Sequence, residues 1–290
     1  MTVTHSVPAE ISVPLAVRLL LGRAAVQVIA ADIEADLLHI KGNAVDGSLR
    51  KRDAPGTDID VMVRPRDVPR LHDALVHHGW VVYSSFIYGS PFGHAQTYEH
   101  PDWGYLDLHR MFPGIRLDPE EAFDELWRDR SEREFAGTVG AVPSLTAQAV
   151  ILVLNDVRSR KAARAVAMWV DRPGLDRASV VEMVERLDAR VAFAPAIGDL
   201  ERYRGEREYR LWKGITEGST RTGEWWARVR AARTLGEALR IVARAPLANA
   251  ERLSHQLGRQ PTRTDLLRAT AMRSTQALRE LWARVRRRRT

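Results

Sequence analysis

The sequence predicts an α+β fold in two parts, with mixed helices and strands over residues 1–117 and a helical domain over residues 118–290. Three observations carry this reading. Short β-branched, alternating runs separated by Gly and Pro crowd the stretch from residue 37 to residue 109. After Pro119 the apolar residues recur at helical spacing and strand signals become scarce. The chain has 290 residues, 45% hydrophobic and 28% charged, which is enough for a proper core and excludes a disordered or collagen-like polymer.

In order along the chain, Pro14 to Leu38 is rich in Ala, Leu, Val and Ile and reads as one or two helices. Leu37-Leu-His-Ile-Lys-Gly42 reads as a short strand ending at a glycine, and Asn43 to Lys51 as a helix start. Asp53-Ala-Pro-Gly-Thr57 has turn composition. Asp58 to Val63 alternates like a strand, and Val68 to His78 has helical spacing closed by Gly79. Trp80 to Tyr83, His94 to Tyr98 and Trp103 to His109 are further strands. Helices are expected over Glu120 to Trp127, Leu145 to Arg158, Lys161 to Val170, Ser179 to Ala189 and most of 225–289. The boundary between the two parts falls near residues 113–120.

The chain contains no cysteine, which excludes disulfides, thiolate metal sites and a cysteine nucleophile. No apolar run reaches the ~20 residues needed to cross a bilayer. The best run, Ile11 to Leu21, is interrupted by Pro14 and Arg18. Met1 to Glu10 lacks the marks of a secretory signal, so a cytoplasmic protein without a membrane partner is expected. The net charge of +7 is unevenly spread. Residues 221–290 hold 17 Arg against 5 acidic side chains, whereas the rest holds 27 basic and 32 acidic. Such a run is either a solvated helix face, tailing off at Arg286 to Arg289, or a patch for phosphate backbones, anionic lipid or an acidic partner.

The chemistry is concentrated in Asp58-Ile-Asp60-Val-Met-Val63. On a strand, Asp58 and Asp60 project to one face while Ile59, Val61 and Val63 enter the core. Adjacent carboxylates repel each other, and a hard divalent cation, Mg²⁺ or Mn²⁺, relieves the repulsion. Tyr105-Leu-Asp-Leu-His109 repeats the alternation and places Asp107 and His109 on the polar face. If the strands are neighbours, Asp107 becomes a third acid, and such sets hold paired metals for phosphoryl or nucleotidyl transfer. Against this stands the ordinary polar face of a half-buried strand, where Asp-x-Asp arises without function.

Leu38-His-Ile-Lys41-Gly42-Asn43-Ala-Val45, Asp58-Ile-Asp60-Val-Met-Val63 and Leu106-Asp107-Leu-His109 together resemble the DNA polymerase β-like nucleotidyltransferase superfamily. More narrowly, they look like its bacterial branch of uncharacterised nucleotidyltransferases. The resemblance spans roughly residues 30–112. It implies a small mixed sheet flanked by helices, with an appended helical domain closing a cleft. The implied activity is metal-dependent transfer of a nucleoside monophosphate from a nucleoside triphosphate to an acceptor, with pyrophosphate released. Carried over by position, Asp58 and Asp60 match the metal-binding pair, Asp107 the third acid that aligns or deprotonates the acceptor, and Gly42 the glycine of the phosphate-contacting turn. The family's Gly-Ser or Gly-Gly pair is Gly42-Asn43 here, and a helical-domain histidine of the branch is replaced near Asn155.

Lesser candidates complete the expected site. Lys41 ends an apolar strand and is placed to neutralise a triphosphate; otherwise it snorkels at the surface. Among Arg50, Lys51, Arg52, Arg64 and Arg66, only Arg52 is taken as a phosphate contact. His109 orients substrate, acts as a base, or merely supports a neighbour. His94 and His100 lie on a strand beside the site without a zinc-like spacing, and His72-Asp73 reads as helix surface. Trp225-Trp226 reads as core packing more readily than as a stacking platform. No Walker or Rossmann glycine pattern is present. The leading reading is a nucleotidyltransferase acting on a small-molecule or peptide acceptor. The alternative is a non-catalytic nucleotide- or nucleic-acid-binding regulatory module. A nucleic-acid acceptor is disfavoured, because the basic excess lies outside the sheet-bearing part.

Overall fold

The computed structural model describes residues 13–50, 56–87, 92–170, 174–218, 221–232, 234–244, 253, 257, 261–272 and 275. Arg52, the expected phosphate contact, lies outside the described residues, as do Met1 to Glu10, Lys51, Pro173, Arg286 to Arg289 and the side chain of Trp225.

The segment after Pro14 forms a single helix, α1 (Leu15–Asp32), whose inward face carries Leu19, Gly22, Arg23, Val26, Ile29 and Ala30. It ends through Glu34 at φ 53°, and the chain turns into β1 (Leu37–Ile40). The helix expected from Asn43 is instead one 3₁₀ turn, Gly42–Ala44. Lys41 and Gly42 both sit at positive φ (56° and 55°), a backbone conformation that cannot enter an α-helix directly. There follow β2 (Ile59–Val63), α2 (Val68–His77), β3 (Val81–Ser84), β4 (Ala95–His100) and β5 (Gly104–His109).

These strands form one mixed sheet in the order β1-β2-β5-β4-β3. Only β2 and β5 run parallel; the other neighbours are antiparallel. The period of two separates the faces. Ile59, Val61, Val63, Leu106 and Leu108 pack on Leu19, Val26 and Ile29 of α1 and on Leu71 and Leu75 of α2. From the opposite face, Leu38, Ile40 and Met62 join a second core with Phe112 and the helices that follow. The helix α1 lies close on the sheet, since a Cβ at Gly22 would come within 2.5 Å of Ile59 Cδ1.

The helical part begins with α3 (Pro119–Arg128), capped by the Asp118 carboxylate on Glu120 N–H at 2.9 Å. A hairpin that the sequence does not announce follows, β6 (Ser131–Phe135) and β7 (Thr138–Val142), joined through Ala136 and Gly137 at φ 49° and 84°. Most of β6 is polar and exposed, so its alternation is faint. Its buried end, Phe135 with Val142, packs against Ala44. Next come α4 (Leu145–Arg158), α5 (Ala162–Val170), α6 (Arg177–Arg186), α7 (Arg190–Phe193), α8 (Tyr209–Glu217), α9 (Arg221–Ala231) and α10 (Leu235–Arg244), with helix again over 263–272. The helix α4 is central: nine of its residues, from Ala147 to Val157, are buried. The fold is therefore α+β, a five-stranded mixed sheet with a helical part. No helix among the described residues is long and apolar enough to cross a membrane.

Candidate functional site

The parallel pair at the centre of the sheet sets the site. In its register Asp60 lies opposite Asp107 and Met62 opposite His109. Ligand atoms of Asp60, Asp107 and His109 all lie within 4.8 Å of one another, a candidate metal-binding group. Asp60 and His109 are buried, and Asp107 is half-buried. Asp58 stands one residue before β2, is half-buried, and falls outside this group. Gly56 itself lies against the Lys41–Asn43 turn, a Cβ there lying 3.5 Å from Gly42 Cα.

The electrostatics follow from crowding. Asp60 Oδ1 receives the Lys41 ammonium in an ion pair and the His109 Nε2–H at 3.0 Å. Burial opposes its charge, but Lys41 and then His109 hold the Asp60 carboxyl well below the usual carboxylate range. Burial, and then the charge of Asp60, push Asp107 up to about 6, although Thr97 donates its hydroxyl to Asp107 Oδ1 at 2.6 Å. Burial and Asp60 also raise Asp58. Burial, followed by Lys41, lowers His109 to about 4, so its ring is neutral. Because its Nε2 donates to Asp60, the buried Nδ1 is an acceptor, and it has no partner among the described residues. Two repelling carboxylates with the His109 ring alongside form a group that could hold a divalent cation.

Two residues that the sequence reading passes over complete the surroundings. Arg23 of α1 is fully buried beneath the turn. It donates to Asn43 Oδ1 at 2.6 Å, to the Asp60 carbonyl at 3.0 Å and to the Lys41 carbonyl at 3.2 Å. A charge at a core position of an apolar helix was its available signal. Arg158, at the end of α4, donates to His94 Nε2 at 2.6 Å and to Asn155 Oδ1 at 3.1 Å. Burial lowers its pKa, while Asp60 and Asp107 act in the opposite direction. Its cation is thus within electrostatic reach of both acids, while its hydrogen bonds go to the neutral His94 and Asn155. The His94 ring lies 5.2 Å from that of His109, which links this helix to the sheet.

Other expected candidates are used structurally. Arg64 is buried and bound to Asp36 at 2.7 Å and Asp124 at 2.5 Å, over the Phe123 ring. His72, expected at the surface, is half-buried, with its Nδ1 2.8 Å from the Tyr98 hydroxyl. His100 lies between the Trp80 and Trp103 rings. The Trp226 side chain is 55% exposed, which does not fit the expected core packing.

No family model matches the chain, and no curated protein matches it. Among solved structures it is similar to a lincosamide antibiotic adenylyltransferase, LnuA, determined with lincomycin bound. Identity is 16% and the TM-score 0.33, over 59% of this chain and 95% of that one. A likeness at that level fixes neither fold nor activity.

Proposed function

We propose that this chain is a metal-dependent nucleotidyltransferase, moving a nucleoside monophosphate from a nucleoside triphosphate to a small-molecule or peptide acceptor with release of pyrophosphate. The observation that carries the reading is the placement of Asp60 opposite Asp107 on the parallel strands, with His109 alongside. The motifs that resemble the nucleotidyltransferase superfamily converge on the same spot.

Asp60 and Asp107, with Asp58 at the margin, are the residues that would hold Mg²⁺ or Mn²⁺, and His109 Nε2 orients Asp60. Bound there, such an ion supplies positive charge to the phosphoryl oxygens and the leaving pyrophosphate. The chain's own residues do the rest. The Lys41-Gly42-Asn43 turn receives the phosphates, with Lys41, held by Asp60, as the positive charge and the turn's N–H groups as donors. The acceptor hydroxyl attacks the α-phosphorus as the bond to the β-phosphate bridging oxygen breaks. Asp107, one of its oxygens held by Thr97, takes the hydroxyl proton on the other. Arg158 adds charge from the helical side.

The test is pyrophosphate release with Mg²⁺ and each of the four nucleoside triphosphates, against a panel of hydroxyl-bearing small molecules and peptides. Asp107→Asn is the informative variant. It removes a ligand and the base, yet it neutralises an acid that its surroundings already disfavour, so folding is retained. Turnover should disappear; turnover equal to that of the parent chain overturns the reading.

A further inference from the structure

We infer that Arg23 is a positioning residue that fixes the side-chain amide of Asn43, so that its NH₂ group is the one offered to a phosphate at the Lys41-Gly42-Asn43 turn. The inference rests on the transferase reading and adds to it the residue that orients one of the turn's donors.

A guanidinium carries donors only, so the atom of Asn43 that Arg23 meets at 2.6 Å must be the carbonyl oxygen. The amide orientation, ordinarily ambiguous, is therefore decided by chemistry. Asn43 Nδ2 then points away from Arg23. Asn43 is half-buried, and the side-chain hydrogen bond it makes among the described residues is through Oδ1, which leaves this nitrogen open to solvent or a ligand. It is a donor without an assignment on a turn where two consecutive residues have positive φ.

Arg23 does more than touch Asn43. Its remaining nitrogens reach the carbonyls of Lys41 at 3.2 Å, Ile40 at 3.5 Å and Asp60 at 3.0 Å. One fully buried side chain thus ties the end of β1 and the turn to the acidic residue of β2. Burial lowers its pKa only to about 10, so the cation persists at neutral pH. Within the described residues no carboxylate pairs with it directly; Asp60 and Asp58 act on it only through their fields. A buried arginine bonded to carbonyl oxygens is costly unless its fixed fork is needed. Here the need is to hold an amide with its oxygen inward and its hydrogens outward.

Two substitutions at Asn43 separate orientation from packing, because Arg23 variants can simply fail to fold. Asn43→Asp keeps an oxygen for Arg23 and converts the bond into an ion pair, but turns the outward group from a donor into an anion. Asn43→Ala removes both. Binding is measured by calorimetry with Mg²⁺ and the α,β-methylene analogue of ATP, and separately with magnesium pyrophosphate, alongside thermal unfolding. Asn43→Asp should lose at least 10-fold in affinity for both probes while unfolding several degrees above Asn43→Ala. Asn43→Ala should lose less affinity, about 3- to 10-fold. Affinity and stability moving in opposite directions is an outcome that a structural role for Asn43 does not give. If the parent chain binds the probes and Asn43→Asp binds them equally well, the inference is overturned while the transferase reading stands. If the parent chain binds neither probe at millimolar concentration, the transferase reading fails and the inference fails with it.

Discussion

Asp60 and Asp107 face each other across the one parallel strand pair of the sheet, and they carry their charge unequally. Asp60 is held ionised by Lys41 and His109, whereas Asp107 is pushed up to about 6 by burial and by Asp60 itself. Pairs whose surroundings drive their pKa values apart divide the labour of binding and proton transfer. In Asp60→Asn the half-buried Lys41 ammonium loses its counter-charge and the neutral His109 ring its carboxylate acceptor, and breaking such a pair costs about 3 kcal/mol. Urea unfolding should show that loss for Asp60→Asn and less than about 1 kcal/mol for Asp107→Asn. An equal effect of both substitutions on stability contradicts the division.

Arg158 supplies the second prediction. Its guanidinium reaches from α4 to His94, at the sheet end of the site, and its long-range field falls on Asp60 and Asp107. Arg158→Gln keeps a donor for His94 or Asn155 but removes the charge. Catalytic rate should fall about 10²-fold, the size seen when one preorganised donor is lost. The unfolding temperature should shift by only a few degrees. Steady-state pyrophosphate release compared with thermal unfolding checks it, and a rate unchanged from the parent rejects a charge role for Arg158.

Much of this site is legible in the chain because strands expose their logic at a period of two. Ile59, Val61 and Val63 against Asp60, and Leu106 and Leu108 against Asp107, announce the apolar and acidic faces of each strand. The parallel pairing is not legible, since adjacency of β2 and β5 depends on packing over the intervening α2, β3 and β4. The positive φ of Lys41 is equally hidden, because a lysine does not favour it and Arg23 stabilises it from 18 residues away. The β6–β7 hairpin escapes notice for a different reason: Ser131-Glu-Arg-Glu134 carries too little apolar alternation to read as a strand. The Arg158–His94 contact joins residues 64 apart, and no local pattern encodes it.

Glu208 gives the chain a pH-dependent stability remote from the acidic site. Burial raises its pKa to about 7 from an ordinary 4.5, although Arg116 lies 3.5 Å away. Between those values the folded chain holds a proton that the unfolded chain has released. Stability therefore falls as pH rises through that window, and the deficit is complete above about pH 7. Its upper limit is of order 3 kcal/mol. Glu208→Gln, which copies the protonated form, should match the parent at pH 4.5 and exceed it by about 1–3 kcal/mol at pH 8 in urea titrations. A parent curve that is flat across this range, and unchanged by the substitution, removes Glu208 as the cause.

Gly114 shows how tightly the sheet end is set against the helices. It sits at φ 102°, and a Cβ there would lie 2.8 Å from Ala192 Cβ and 3.1 Å from Leu154 Cδ2. Ala192 has no flexible end to move aside, and Leu154 is wholly buried in α4. Gly114→Ala therefore meets backbone strain and overpacking together, about 1 kcal/mol from the first and 1–3 from the second. A loss of about 2–4 kcal/mol in urea unfolding is expected, the sum of those two costs. Because Phe112, two residues earlier, stacks on His109 with ring centroids 5.9 Å apart, the displacement should also reach the acidic site. Weaker Mn²⁺ binding by Gly114→Ala, measured at a temperature where the variant is still folded, tests that coupling; affinity equal to the parent's shows that the strain stops at Phe112.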